Sequence, residues 1–520
     1  MTNPSTLYRG GVLHCPADPS ATALLVSGGR IAWLGTDGDA PPADRVVDLG
    51  GALVTPAFVD AHVHATDTGL ALSGLELSGV RSAAQLLDAV AAFAAGLPVD
   101  AVVLGHGWDE SGWPDPALPD AAALDRAAGG RRVYLSQASI HSALVSTALL
   151  AACPQAAAEA GYDPSGWLRR DAHHVVRAAA QGSVSRAQRV AAQRVALAHA
   201  ASLGIAAVHE CGGPEISDEE DFTGLLGISG AGLPEVYGYW GELGGAARAR
   251  ELGAVGAGGD LFADGALGSR TAHVSQPYGD GDGCGHGYLS AEQVRDHLLD
   301  CAAHGMQGGF HAIGDAAIGT VLEGFAAART LGVERLRAAR HRIEHAEIMN
   351  KRMIAQFVEY GVVASMQPAF DRLWGGAGRM YESRLGLDRS LESNPMGSMH
   401  GVGVALAFGS DSPVTPLDPW GSVRAAAAHH NPAQRMGVRA AFAAHTRGGW
   451  RAVHLDVEGV LALGAPATFA VWSTPAGVER GLPVLLAEDP ELRGPEDPTP
   501  LPVCRSLVLR GEVIYQEGSS

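Results

Sequence analysis

The sequence predicts an α/β chain: a (β/α)8 barrel of the TIM-like kind, a small β-sandwich built from both termini, and an insertion after the first barrel strand. Three observations carry this. Apolar strand-like runs alternate with helical patterns through most of the chain, as βα units around a parallel sheet do. The two ends share a strand, turn, strand design that the middle lacks. The stretch Phe58-Val59-Asp60-Ala61-His62-Val63-His64 ends an apolar run in His-x-His, and alternation along a strand puts both imidazoles on one face, where they can hold one divalent cation.

At the N-terminal end, residues 23–35 read as strand, Gly28-Gly29 turn, strand, and residues 506–515 repeat that design around Arg510-Gly511 after a strand-like run at 467–472. The expected sandwich takes 1–55 and 455–520, and the expected barrel 56–454. Candidate barrel strands are 54–62, 205–210, 234–239, 259–263, 306–311, 340–345, 361–366 and 404–410. The helices between them carry their own signals. Ser290 with Gln293 makes a capping box before Val294, Leu298 and Cys301, and Gly305 ends that helix. Ile318, Leu322 and Phe325 mark the next, stopped at Gly332. Asn350 caps a third that carries Ile354 and Phe357 and stops at Gly361. Residues of about 65–204 are too many for one βα loop. With a strand at 132–136 and an Ala-rich helix from about Arg186 to Gly204, they read as an insertion over the barrel mouth.

Composition excludes several classes. A chain of 520 residues, 47% hydrophobic and 18% charged, is globular and long enough for more than one core. A net charge of −19 argues against nucleic acid and anionic membrane surfaces, both of which need a basic face. The six cysteines (Cys15, Cys153, Cys211, Cys284, Cys301, Cys504) form no C-x-x-C pair and read as reduced thiols. With no leader-like N-terminus and no run near the roughly 18 apolar residues of a span, a cytoplasmic protein is expected. Lys351 is the only lysine. The acidic run 218–221 reads as a solvated loop.

Catalytic residues of such barrels sit at the carboxyl ends of strands. There the chain places His62 and His64 (first strand), His311 (fifth), His345 (sixth) and Asp411 (eighth). Each alone is an ordinary core or surface residue; together they predict a metal site.

The motifs Pro56-Ala57-Phe58-Val59-Asp60-Ala61-His62-Val63-His64, Leu261-Phe262-Ala263-Asp264-Gly265, His311-Ala312-Ile313-Gly314-Asp315, Arg342-Ile343-Glu344-His345-Ala346 and Gly409-Ser410-Asp411-Ser412-Pro413 occur in order along the chain. Here the sequence resembles the amidohydrolase superfamily, in its amidohydrolase family 3 branch. The resemblance implies hydrolysis at a one- or two-metal centre, usually zinc. That branch commonly sets a carboxylated lysine four residues before the Asp of its Asp-Gly motif; here that position is Asp260, and Lys351 lies in a helix away from the strand ends. Asp260 therefore either bridges two metals, serves one metal, or is a structural strand-end residue.

The expected chemistry is metal-dependent cleavage of a non-peptide carbon–nitrogen bond in an N-acyl or N-formyl amine or a cyclic amide. A bound Zn²⁺ lowers the pKa of its water from about 15.7 to roughly 7, and Asp411 serves as base and then acid. Deamination of a heterocycle at a single metal is the alternative, and a non-catalytic metal-binding regulatory protein a remoter one. Trp108, His141, Arg270 and Gln367 are candidate substrate contacts, each against a packing or ion-pair role, and Trp108, Trp113 and Trp374 hint at an apolar substrate portion. Asp315 and Glu344 are expected to orient histidines, and His209 to be a core histidine. The expected partner is a small-molecule substrate, with a homodimer as the default assembly.

Overall fold

The computed structural model describes residues 4–138, 142–489, 492–494 and 497–518. The chain forms two compact units, one of Met1–Ala65 with Leu197–Ser520 and one of Thr66–Ala196.

In the first unit, eight strands lie side by side in chain order: Phe58–Val63, Ile205–Gly212, Glu235–Trp240, Gly256–Ala257, Gln307–Ala312, Arg342–His345, Val363–Met366 and Ala405–Phe408. All neighbours are parallel, and a parallel bridge between Val63 and Ser412 joins the end of the last strand to the first. Backbone bonds from Asp411 N–H to the His62 carbonyl (2.8 Å) and from His64 N–H to the Ser412 carbonyl (2.9 Å) fasten that seam, so the metal-ligand candidates of strands one and eight meet. The strands are buried on both faces, as near-continuous apolar runs require.

The fourth strand departs from expectation. The run 259–263 is not a strand; the strand is Gly256–Ala257, which ends at Gly258 (φ +152°) and Gly259 (φ +78°). Only glycine takes the first of these backbone conformations readily. The kink frees Asp260 from the ladder, and pairing resumes as a single bridge between Phe262 and His311.

The barrel helices start and stop where their caps say. Ser290 and Gln293 close a capping box on Ala291–His304, with Gly305 left-handed at its end, and Asn350 and Gly361 bracket Lys351–Tyr360. Both termini contribute a sandwich of a four-stranded sheet (Ser5–Arg9, Ala23–Ser27, Arg30–Gly35, Arg45–Asp48) and a five-stranded sheet (Val12–Leu13, Leu53–Pro56, Phe469–Ser473, Val503–Leu509, Glu512–Gln516). Leu24, Val26 and Ile31 of one sheet pack with Val54, Phe469, Val471 and Val508 of the other.

The second unit has a five-stranded mixed sheet of its own, in the order Trp167–Arg169, Ser142–Val145, Val133–Gln137, Val103–Trp108, Leu75–Glu76. Two separate apolar clusters, one around Leu86, Val90 and Leu124 and one around Leu149, Leu168 and Val176, give it its own core.

Candidate metal centre

Four histidines and two aspartates converge at the carboxyl end of the barrel, all but His64 fully buried and His64 nearly so. His62 Nε2 lies 3.4 Å from Asp260 Oδ2 and 3.5 Å from Asp411 Oδ1. His64 Nε2 lies 3.2 Å from each of the same two oxygens. The other oxygen of Asp260, Oδ1, faces His311 Nδ1 at 3.4 Å and His345 Nε2 at 3.7 Å. Asp260 thus stands between two groups, one formed with His62, His64 and Asp411 and one with His311 and His345. The ligand-atom sets His62–His64–Asp260, Asp260–His311–His345 and His62–His345–Asp411 each fit around a single ion.

The donor set fits a divalent cation on two counts. Ligand atoms about 2.1 Å from a tetrahedral ion lie about 3.4 Å apart, which is the spacing seen here. In addition, the buried His62 Nε2 has no hydrogen-bond partner, although it is aimed at two carboxylates. Its other nitrogen, Nδ1, donates to Glu344 Oε2 at 2.9 Å, which leaves Nε2 with a free lone pair. His345 is set the same way, its Nδ1 donating to Gln367 Oε1 at 2.8 Å. His311 is reversed: Nε2 lies 3.3 Å from the Gly265 carbonyl, so Nδ1 faces Asp260.

Charge beneath the site is arranged to keep these partners ionised. Burial pushes the Glu344 carboxyl up, but the Arg342 guanidinium and then His62 outweigh it and hold the group at about 2. Arg342 is itself fully buried; it forks onto Glu344 (2.5 and 2.8 Å), donates to the Ala61 carbonyl and Ser365 Oγ, and lies 4.3 Å above the Tyr239 ring. Asp260 also resists burial: His62, His311 and His345 draw its carboxyl well below the usual range. Asp60, beneath the seam, accepts from the backbone N–H of Ser410 and His62, yet burial dominates and lifts it to about 6. Asp411 occupies a left-handed backbone position (φ +57°), held by its N–H to the His62 carbonyl.

Several sequence-predicted residues have other duties. Trp108 is wholly buried in the second unit, packs with its core and donates its indole N–H to the Leu135 carbonyl, the packing role that the sequence also allowed. Trp113 is in the same cluster, bonded to the Val80 carbonyl. Arg270 makes a two-pronged pair with Asp280 (3.0 Å on each arm), so its guanidinium is occupied structurally. Gln367 orients His345 and is itself buried. Among the described residues Asp315 binds the backbone and hydroxyl of Ser275 rather than a histidine, because it begins helix Asp315–Ala327 and faces that loop. Asp264 instead braces the fifth-strand loop, accepting from the backbone N–H of Ile313, Gly314 and His273. His209 is a buried histidine beside Arg342, kept neutral by burial and by that charge. His141 lies outside the described residues.

Against the ligands opens a cavity of about 350 Å³ lined by His64, Asp260, His311, His345 and Asp411 and, further out, by aromatic and aliphatic side chains including Trp374. Among the walls that the sequence reading missed are Glu347, Phe370 and Tyr381. Glu347 follows His345 by two positions, and a strand continued through it would point it with the ligands, but His345 (φ +69°) and Ala346 (φ +48°) both turn left-handed first. Burial lifts the Glu347 carboxyl to about 7, although the Tyr381 phenol donates to it.

Comparison with known proteins agrees with this geometry. The chain is 25% identical to the Bacillus subtilis protein named "Putative amidohydrolase YtcJ", across 98% of this chain and 99% of that one. It is 31% identical to Protein LONG AFTER FAR-RED 3 of Arabidopsis thaliana, over 41% of this chain and 38% of that protein. Among solved structures, an uncharacterized metal-dependent hydrolase of Pyrococcus furiosus superposes with a TM-score of 0.75 at 23% identity, covering 90% of this chain and 98% of that one. One from Pyrococcus horikoshii gives 0.73 at 21% identity, over 92% and 99%. The amidohydrolase family model matches residues 45–515. On that match, which takes in every candidate ligand, the chain belongs to the amidohydrolase family, in its family 3 branch.

Proposed function

We propose that this protein hydrolyses a non-peptide carbon–nitrogen bond in a small molecule, an N-acyl or N-formyl amine or a cyclic amide, in the cytoplasm, at a zinc centre that His62, His64, Asp260, His311, His345 and Asp411 would hold. The observation that carries the reading is the division of Asp260, whose Oδ2 serves the first-strand pair and whose Oδ1 serves His311 and His345. A carboxylate has the charge and the two oxygens of a carbamylated lysine on a shorter side chain, and the kink at Gly258-Gly259 brings that shorter group to the ligands. When bound, the metal centre supplies an ionisable water and a Lewis acid that polarises the carbonyl. The chain's own groups do the rest. His62, His64, His311 and His345 present lone pairs fixed by their outer hydrogen bonds. Asp411, on the cavity wall, takes the water proton and returns it to the leaving nitrogen. The largely apolar cavity wall seats the substrate beside the ligands.

The test is metal analysis and hydrolysis of a panel of N-acyl amines and cyclic amides before and after chelation. Two zinc ions per chain, activity lost on chelation and regained on reloading, and a fall in kcat of about 10²–10⁴ in Asp411→Asn are expected. Turnover that survives complete metal removal sinks the reading. One metal per chain with ammonia released from a heterocycle replaces it with the deaminase reading.

A further inference from the structure

Resting on that hydrolase reading, we infer that the cavity receives an aryl-sized half of the substrate that carries an N–H or O–H donor and no carboxylate, and that Glu347, braced by Tyr381, is the residue that reads it. The volume of about 350 Å³ is at the small end for a small-molecule site and suits one ring with a short arm. Beyond the metal ligands, Phe262, Leu267, Ile313, Phe370, Trp374 and Met380 make an apolar wall. Phe370 lies parallel to the His345 ring (5.9 Å between centroids, 10° between planes) and packs on Trp374 at 4.8 Å, a rigid surface for a flat group.

The polar groups in this wall are few. Apart from the ligands, the described lining holds one carboxyl, Glu347, and one phenol, Tyr381, and neither arginine nor lysine. The guanidiniums beside Gly268 are already engaged: Arg270 and Arg384 both pair with Asp280, and Arg384 also donates to the Gly268 carbonyl. Away from the metal ligands, a carboxylate on the substrate would be buried with no guanidinium or ammonium to meet it and beside an acid, a costly arrangement that rejects it. A donor is what the wall lacks and what a carboxyl accepts.

Glu347 is built into place. The two left-handed residues before it are tied by the Ala346 N–H, which lies 3.1 Å from the Ala312 carbonyl and 2.9 Å from that of Glu344. The Asn394 N–H holds the Glu347 carbonyl at 2.8 Å. The side chain, 2% exposed, has the Tyr381 hydroxyl on Oε2. A carboxyl offers about four lone-pair sites; Tyr381 fills one and the Asn394 side chain also bears on it, which leaves acceptor capacity for a ligand.

The test uses the full, metal-loaded chain and three N-acetylphenethylamines that differ only in a para amino, methyl or carboxylate group. The amino compound should exceed the methyl in kcat/KM by about tenfold or more, with the carboxylate last, because a site built for a donor rejects analogues lacking it. Glu347→Gln, which keeps an acceptor oxygen, should retain the preference, and Glu347→Leu should bring the amino-to-methyl ratio near one. A ratio unchanged in Glu347→Leu, or a wild-type preference for the carboxylate, overturns the inference. If none of the three is hydrolysed, the hydrolase reading is judged by its own substrate panel and metal analysis, and calorimetry decides this one. Wild-type protein should then bind 4-ethylaniline about tenfold more tightly than 4-ethyltoluene, with the gap closed in Glu347→Leu. Equal wild-type affinities overturn it.

Discussion

One carboxylate, Glu344, joins the barrel core to the metal ligands. Its Oε2 accepts from His62 Nδ1 while both of its oxygens take the fork of Arg342. The residue therefore sets which His62 nitrogen faces the metal and also neutralises a guanidinium with no access to water. Glu344→Gln keeps the shape and removes the charge. Zinc affinity, measured against a competing chelator, should fall about 10–100-fold, as for other outer partners of metal-bound histidines. Stability should fall too, by about 3–5 kcal/mol, since half of a buried pair is left uncompensated. Tight metal binding in a destabilised variant would show that Glu344 serves the core alone.

At the scale of elements, the fourth strand is where the barrel is shaped for its site. Gly256-Ala257 pairs for two residues, and the chain then leaves the ladder through Gly258 and Gly259. A Cβ on Gly258 would stand 2.3 Å from the Gly309 nitrogen and 2.4 Å from its Cα, both backbone atoms that cannot swing aside. Gly258→Ala should force the strands apart and carry Asp260 away from the ligands. Metal analysis should then find fewer than two ions per chain, with His62 and His64 still in place. Full metal content in a folded Gly258→Ala protein would show that the kink does not position Asp260. The same element explains a misreading: Asp260 and Phe262 follow an apolar, strand-like pattern, and pattern alone does not reveal that two glycines have already broken the register.

For the whole molecule, acid stability depends on histidines remote from the metal. His341 accepts the Gly308 N–H at 2.8 Å, and His445 donates from Nδ1 to the Val59 carbonyl at 2.9 Å while its own carbonyl accepts the Val59 N–H at 3.0 Å. Burial, foremost, lowers both, His341 to about 3 and His445 to about 4, from an ordinary value of 6.5. The folded state thus binds fewer protons than the unfolded one across that window. The stabilisation is complete above pH 6.5 and is lost as pH falls towards 4 and then 3, at up to about 1.4 kcal/mol per pH unit for each group. Urea midpoints measured from pH 7 to 4 should fall with acid, and His445→Asn should flatten the slope. An unchanged slope would place the acid sensitivity elsewhere.

The sequence by itself determined the architecture, apart from the fourth barrel strand, and marked most of the candidate ligands. The barrel strands, the capping box at Ser290, the glycine stops at Gly305 and Gly361, and His62, His64, His311, His345 and Asp411 are local signals, because periodicity, caps and strand ends are set by neighbours along the chain. Only the tertiary structure decided what depends on distant partners. That Asp260 faces two groups, that Gln367 holds His345 while Trp108 merely packs, that Arg270 is taken by Asp280, and that Glu347 turns into the cavity all rest on contacts between separate segments. A residue's type and spacing state what it is able to bind; which partner it meets is fixed only when the chain closes on itself.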